Sequence, residues 1–148
     1  VEYLSKINNC KKAIGVDGSS KMIAKAKKYS DNEFYCSDLL KWKPKDKVDV
    51  VFSMEVFYYF KNPQILIKHI HDSWIKNDGK LIMGIDHYYE NEECHEWKKK
   101  INVDTMELIK IEEWKNFFNK SGFKNVKEYQ FFPDKKWKGT LVIEGSKI

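Results

Sequence analysis

The chain contains no arginine: all 27 of its basic residues are lysine, against 22 acids. A net charge of +5 raises the question of an acidic partner. Bidentate recognition of guanine or phosphate, however, relies on arginine's planar fork. The lysines are scattered over the polar faces of helical stretches, so they read as solvated surface and no nucleic-acid partner is expected. Cysteine is scarce as well. Cys10, Cys36 and Cys94 are odd in number and widely spaced, which excludes a disulfide framework and matches no zinc spacing. Reduced thiols and a cytoplasmic setting are expected, with Cys36 as a small buried residue. The seven glycines, at 15, 18, 79, 84, 122, 139 and 145, include no clustered G-x-G. No apolar run approaches the roughly 20 residues of a membrane span, and the N-terminus lacks a charged-then-apolar signal pattern. No membrane partner is expected.

What the chain does have is core material. Its 148 residues are 42% hydrophobic and 15% aromatic, enough for one domain, residues 1–148, with a buried interior. The organising stretch is Ala13-Ile14-Gly15-Val16-Asp17-Gly18-Ser19-Ser20-Lys21-Met22-Ile23. It reads as a short strand ending in an acid, a tight turn at Gly18, and a helix capped by Ser19 or Ser20 with Met22, Ile23 and Ala26 facing the sheet. Asp17 has two readings: a turn former, or an acid at the mouth of an open α/β sheet that accepts hydrogen bonds from ribose hydroxyls.

The rest alternates strand and helix. Residues 1–7 have helical spacing, and residues 33–37 form a second strand with Asp38 just past its end. Residues 48–53, Val-Asp-Val-Val-Phe-Ser, are the clearest strand, apolar on both faces as in buried parallel sheets. An aromatic turn, residues 54–60, leads to Asn62-Pro63, a helix start. That helix is expected to run to Lys76 and stop at Asn77-Asp78-Gly79 before a strand over residues 80–86. Residues 87–110 lose the pattern and read as a long insertion covering the substrate. A helix over residues 111–121 and two strands joined at Pro133-Asp134 close the chain as an antiparallel hairpin.

Strand–helix alternation ending in such a hairpin resembles the class I S-adenosylmethionine-dependent methyltransferases, of the small-molecule, methyltransferase type 11-like kind. The matching words are Gly15-Val16-Asp17 with Ser19 and Met22-Ile23, then Ser37-Asp38-Leu39, then the run from Asp49 to Val56. The resemblance implies an α/β, Rossmann-like, doubly wound and mostly parallel sheet with the C-terminal hairpin, and S-adenosylmethionine as cofactor. It makes Asp17 the ribose-binding acid with Gly18 and Met22 beside it, and Asp38 and Leu39 the adenine contacts. Ser53 and Met54 end the strand under the cofactor. The family's first strand and glycine-rich loop have no counterpart here. An N-terminally incomplete methyltransferase is therefore expected, or one that self-associates to cover two strand edges.

For the chemistry, methyl transfer to a small-molecule acceptor by in-line displacement needs positioning and sometimes a base. Glu55 and His87 are the catalytic candidates, because His87 has the intrinsic pKa of a base working near neutral pH. A loop histidine without chemistry is the plainer reading of the same residue. Tyr58, Tyr59, Asp86, Tyr88 and Trp97 are the expected substrate contacts, the two adjacent tyrosines also suiting a sulfonium through cation–π attraction. No metal site is expected. Two alternatives stay open: a nicotinamide-dependent oxidoreductase, whose ribose also suits an acid after the second strand, and a non-catalytic nucleotide-binding or interaction module.

Overall fold

A computed structural model describes residues 1–7 and 10–148. The chain that reads as one domain divides into two compact units, Val1–Lys43 and Pro44–Ile148.

The first unit holds a short helix α1 (Glu2–Ser5), strand β1 (Ile14–Asp17), helix α2 (Ser20–Tyr29) and strand β2 (Glu33–Cys36). β1 and β2 run parallel, with Asp17 level with Cys36. Gly15 is required by this packing: a Cβ there would lie 2.5 Å from the Phe34 ring and 2.9 Å from the Val1 side chain. Ser19 caps α2 by accepting the Met22 N–H at 3.3 Å, satisfying one orphan donor of the first turn. Of the three residues expected to face the sheet, Ile23 alone is buried and Met22 is 54% exposed. Cys36 is also exposed rather than buried; it ends β2, which has β1 as its one strand partner among the described residues.

The second unit is a four-stranded sheet in the order β3-β4-β6-β5. It comprises β3 (Val48–Met54), a 3-10 turn (Phe57–Tyr59), α3 (Pro63–His69), a π-helical turn (Ile70–Trp74) and β4 (Ile75–Ile85). The insertion then carries a 3-10 turn (Glu92–Cys94) and the short helix α4 (Trp97–Lys100), before α5 (Ile111–Lys120), β5 (Lys124–Phe131) and β6 (Thr140–Ser146). β3 and β4 are parallel, whereas β6 lies antiparallel to both β4 and β5. This is the expected α/β architecture with its closing hairpin. The core is built from Leu66, Ile67 and Ile70 of the α3 segment, Leu81, Met83 and Ile85 of β4, Trp114 and Phe118 of α5, and Leu141 and Ile143 of β6, all buried. Their burial against water is the main stabilising term of this unit.

Two local readings change. The helix ends at Trp74, and Asn77-Asp78-Gly79 lies inside β4. The reason is pairing: Asp78, at φ 62, donates its N–H to the Lys147 carbonyl at 2.7 Å, and Lys147 donates back to Gly79 at 2.9 Å. The Lys147 ammonium then caps the helix end, donating to the His71 carbonyl at 2.7 Å. The second change is at β3, which is not buried on both faces. Val50, Phe52 and Met54 are 53%, 47% and 42% exposed. They share one face by the period of two, and among the described residues β3 has β4 as its one strand partner.

Candidate active site

Within the first unit, parallel pairing brings the carboxyl ends of β1 and β2 to one edge, where Ser37 donates its N–H to the Asp17 carbonyl at 3.0 Å. One Asp17 carboxylate oxygen accepts the Ser19 N–H at 2.7 Å, which fixes the turn. The other oxygen takes no protein donor among the described residues. Beside it, a Cβ on Gly18 would meet nothing nearer than the Ser37 carbonyl oxygen at 3.9 Å, so the surface is open there. Asp38 accepts the Leu40 N–H at 3.0 Å and lies 3.6 Å from the Lys41 ammonium. Met22 stands exposed on the first turn of α2. An acid with a spare oxygen over an open glycine shelf fits a ribose diol, and a second acid one strand along fits an exocyclic amine.

Within the second unit, Ser53 and Met54 end β3, and Gly84 opposite leaves room for the Met54 sulfur, which a Cβ would approach to 2.5 Å. Glu55 follows in the left-handed region at φ 57, a strained conformation for a non-glycine residue that the surrounding bonds maintain. Its backbone N–H donates to the Gly84 carbonyl at 2.9 Å. One carboxylate oxygen accepts the Asp86 N–H at 2.6 Å, and the other accepts the Tyr58 hydroxyl at 2.6 Å. Glu55 thus ties the end of β3 to the end of β4. Burial pushes its carboxyl above the usual range, with the Asp86 charge adding to the rise and the Tyr58 and Asp86 hydrogen bonds opposing it. Burial first, then the Glu55 carboxylate, raises Tyr58 strongly, so this phenol stays protonated.

His87 is 1% exposed. The Tyr58 ring meets it edge-on at 5.2 Å, and Trp97 of α4 lies nearly parallel to it at 6.3 Å. Among the described residues neither ring nitrogen makes a well-formed hydrogen bond, the Cys94 backbone being its one polar neighbour of note, and the buried Oδ1 of Asp86 has no partner either. Burial lowers the His87 pKa against an opposing contribution from the Cys94 backbone, so the imidazole is neutral at pH 7. Unpaired buried polar atoms cost about 1–3 kcal/mol each, and their clustering at one place marks a site.

The other expected substrate contacts divide. Tyr59 is 39% exposed beside Tyr58, with ring centroids 4.5 Å apart. Tyr88 belongs to the core: it is 0% exposed, donates its hydroxyl to the Gly139 carbonyl at 2.8 Å and accepts from Gln130 at 3.0 Å. Its hydroxyl is committed to the closing hairpin through Gly139 and Gln130. Three residues of the region have no signal in the sequence pattern. Buried Asn91 bridges the insertion by donating to the Asp86 carbonyl at 2.9 Å and accepting the Lys138 N–H at 3.3 Å. The Glu90 carboxylate accepts the Ile111 N–H at 3.1 Å, capping α5. Trp137 in the hairpin turn lies nearly parallel to Trp97 at 6.0 Å.

Residues 2–128 match the family model described as a methyltransferase domain. Among solved structures, the Haloferax volcanii protein in complex with the Trm112 methyltransferase activator is 26% identical, with a TM-score of 0.84 over 98% of this chain and 76% of that one. A Thermotoga maritima S-adenosylmethionine-dependent methyltransferase, described as a possible histamine N-methyltransferase, is 22% identical, with a TM-score of 0.78 over 91% of this chain and 72% of that one. The N-methyltransferase NodS of Bradyrhizobium japonicum, bound to S-adenosylhomocysteine, shares the fold at 16% identity and a TM-score of 0.70, over 95% of this chain and 69% of that one. No curated protein matches the sequence. With a family model spanning most of its length and this fold around it, the chain belongs to the methyltransferase domain family and is an S-adenosylmethionine-dependent methyltransferase.

Proposed function

We propose that this methyltransferase acts on a small-molecule acceptor whose proton is taken by His87. The observation that supports this most is the neutral, buried His87 ring at the carboxyl end of β4, whose nitrogens make no well-formed hydrogen bond among the described residues. The cofactor supplies a methyl group already activated on a sulfonium, so the protein's work is orientation and proton handling. The acceptor's oxygen or nitrogen would form the new bond to the methyl carbon as the carbon–sulfur bond breaks and its electron pair leaves on sulfur as a neutral thioether. The acceptor's proton moves to a lone pair of the imidazole. Glu55 holds Tyr58 and the Asp86 backbone, and through them the walls around His87. Asp86, Tyr58, Tyr59 and Trp97 are the proposed acceptor contacts. For the cofactor we propose Asp17, Gly18, Met22, Asp38 and Leu39 in the first unit, and Ser53 and Met54 at the end of β3 in the second.

The test uses methyl-labelled S-adenosylmethionine and a cell extract split into a low-mass filtrate, protein and RNA. Label recovered in a low-mass product, and lost with His87→Ala, supports the proposal; label transferred to protein or RNA overturns it. We also propose a protein partner, because the Haloferax volcanii protein stands in complex with Trm112. Co-elution of this chain with purified Trm112 in size-exclusion chromatography supports it, and separate elution of the two rejects it.

A further inference from the structure

Beside the His87 cluster lies an open cleft of about 730 Å³, walled by α4 and its preceding turn on one side and by the β5–β6 turn on the other. That size suits a small organic ligand. Its apolar surface comes from Trp97 and Trp137, two half-buried indoles nearly parallel at 6.0 Å. Three lysines, Lys100, Lys135 and Lys136, line the cleft with them. Among the described residues, none of the three is paired with a carboxylate.

Two acids also reach the cleft, Glu93 and Asp134. Asp134 is already committed. One of its oxygens accepts the N–H groups of Lys136 and Trp137, both at 2.8 Å, and these bonds hold its carboxyl below the usual range. Asp134 stays ionised, so with Glu93 two carboxylates face three lysines and the lining carries a net charge of +1. The chemistry therefore favours an anion, and two flat indoles favour a planar partner. Trp97 also links this cleft to the proposed chemistry, since the same ring lies along His87 at 6.3 Å.

We propose that this cleft binds the anionic end of a flat aromatic acceptor, an aryl carboxylate or aryl phosphate, against Trp97, the ring that lies along His87. The inference rests on the reading of His87 as the acceptor's base, and it specifies the substrate class. Lys135 and Lys136 hold the anion, and Trp97 and Trp137 hold the ring.

Binding is tested apart from methyl transfer, by quenching of tryptophan fluorescence with three naphthalene probes. These are naphthalene-1-carboxylate, neutral 1-naphthol and naphthalene-1-methylammonium. The carboxylate is expected to bind most tightly. The double variant Lys135→Ala/Lys136→Ala is expected to weaken it by about tenfold, the scale of two solvent-exposed ion contacts, while leaving 1-naphthol unchanged. Trp137→Phe keeps a flat ring and retains binding, whereas Trp137→Ala loses it. Added salt weakens the carboxylate alone. Because the readout is binding and not methyl transfer, a failure of the base assignment is distinguishable from a failure of the cleft. Equal or tighter binding of the methylammonium probe overturns the inference, as does no binding of the carboxylate to folded wild-type protein.

Discussion

Replacing His87 by phenylalanine separates stability from activity. The substitution keeps an aromatic ring edge-on to Tyr58 and along Trp97, and it removes two buried nitrogens that make no well-formed hydrogen bond among the described residues. An unsatisfied buried polar group costs about 1–3 kcal/mol, and forcing extra carbon into a packed site costs about the same. The variant is thus expected to be at least as stable as wild type at pH 7.5, by up to about 1 kcal/mol. The pH dependence carries more information. Because burial lowers the folded-state pKa of His87 below its unfolded value, its neutral form contributes stability above about pH 6.5, and that contribution is lost as pH falls toward the depressed folded value. Phenylalanine does not titrate. The stability gap between variant and wild type should therefore widen in the variant's favour from pH 7.5 to pH 5.5, as read from urea unfolding followed by tryptophan fluorescence. Methyl transfer should fall by about 10²–10⁴-fold, the usual contribution of a positioned base. A variant destabilised by more than about 2 kcal/mol, with a gap that does not change with pH, would show that the histidine nitrogens are hydrogen-bonded in the resting protein. His87 would then be a hydrogen-bonded core residue and not a base held ready for an acceptor.

At the other proposed contact set, Asp17→Ala is expected to abolish S-adenosylhomocysteine binding measured by calorimetry, from a wild-type affinity near micromolar, about −8 kcal/mol; unchanged binding would remove Asp17 from the cofactor site. The cysteines differ in reactivity: burial pushes the Cys94 thiol up to about 11, while Cys10 and Cys36 are exposed. Iodoacetamide at pH 8 should therefore add to Cys10 and Cys36 and spare Cys94 in the native protein, and peptide mass mapping that finds Cys94 labelled at the same rate would contradict the packing of the insertion.

Local chemistry was enough to place most of the elements. Ile14-Gly15-Val16-Asp17 followed by Gly18 and Ser19 could make little else but a strand, a turn and a capped helix, since each residue's backbone preference agrees with its neighbour's. The closing hairpin was equally legible, from two apolar runs and a Pro-Asp turn. Glu55 and His87 were identifiable as titratable residues just past buried strands, which is where open α/β sheets place their sites. Tertiary structure decided what each of them does. The spacing of Asn77-Asp78-Gly79 marks a helix stop, but pairing with Lys147 draws it into β4. Tyr88 and Tyr89 are adjacent and chemically alike, yet one is buried on Gly139 and the other is 48% exposed. The left-handed backbone of Glu55, the pairing of Trp97 with Trp137 and the bridging by Asn91 all join residues that sequence spacing leaves unrelated. Propensity and pattern act over a few residues along the chain. Burial, orphaned hydrogen-bond groups and shifted pKa values depend on what lies across from a side chain, and only the packed fold sets that.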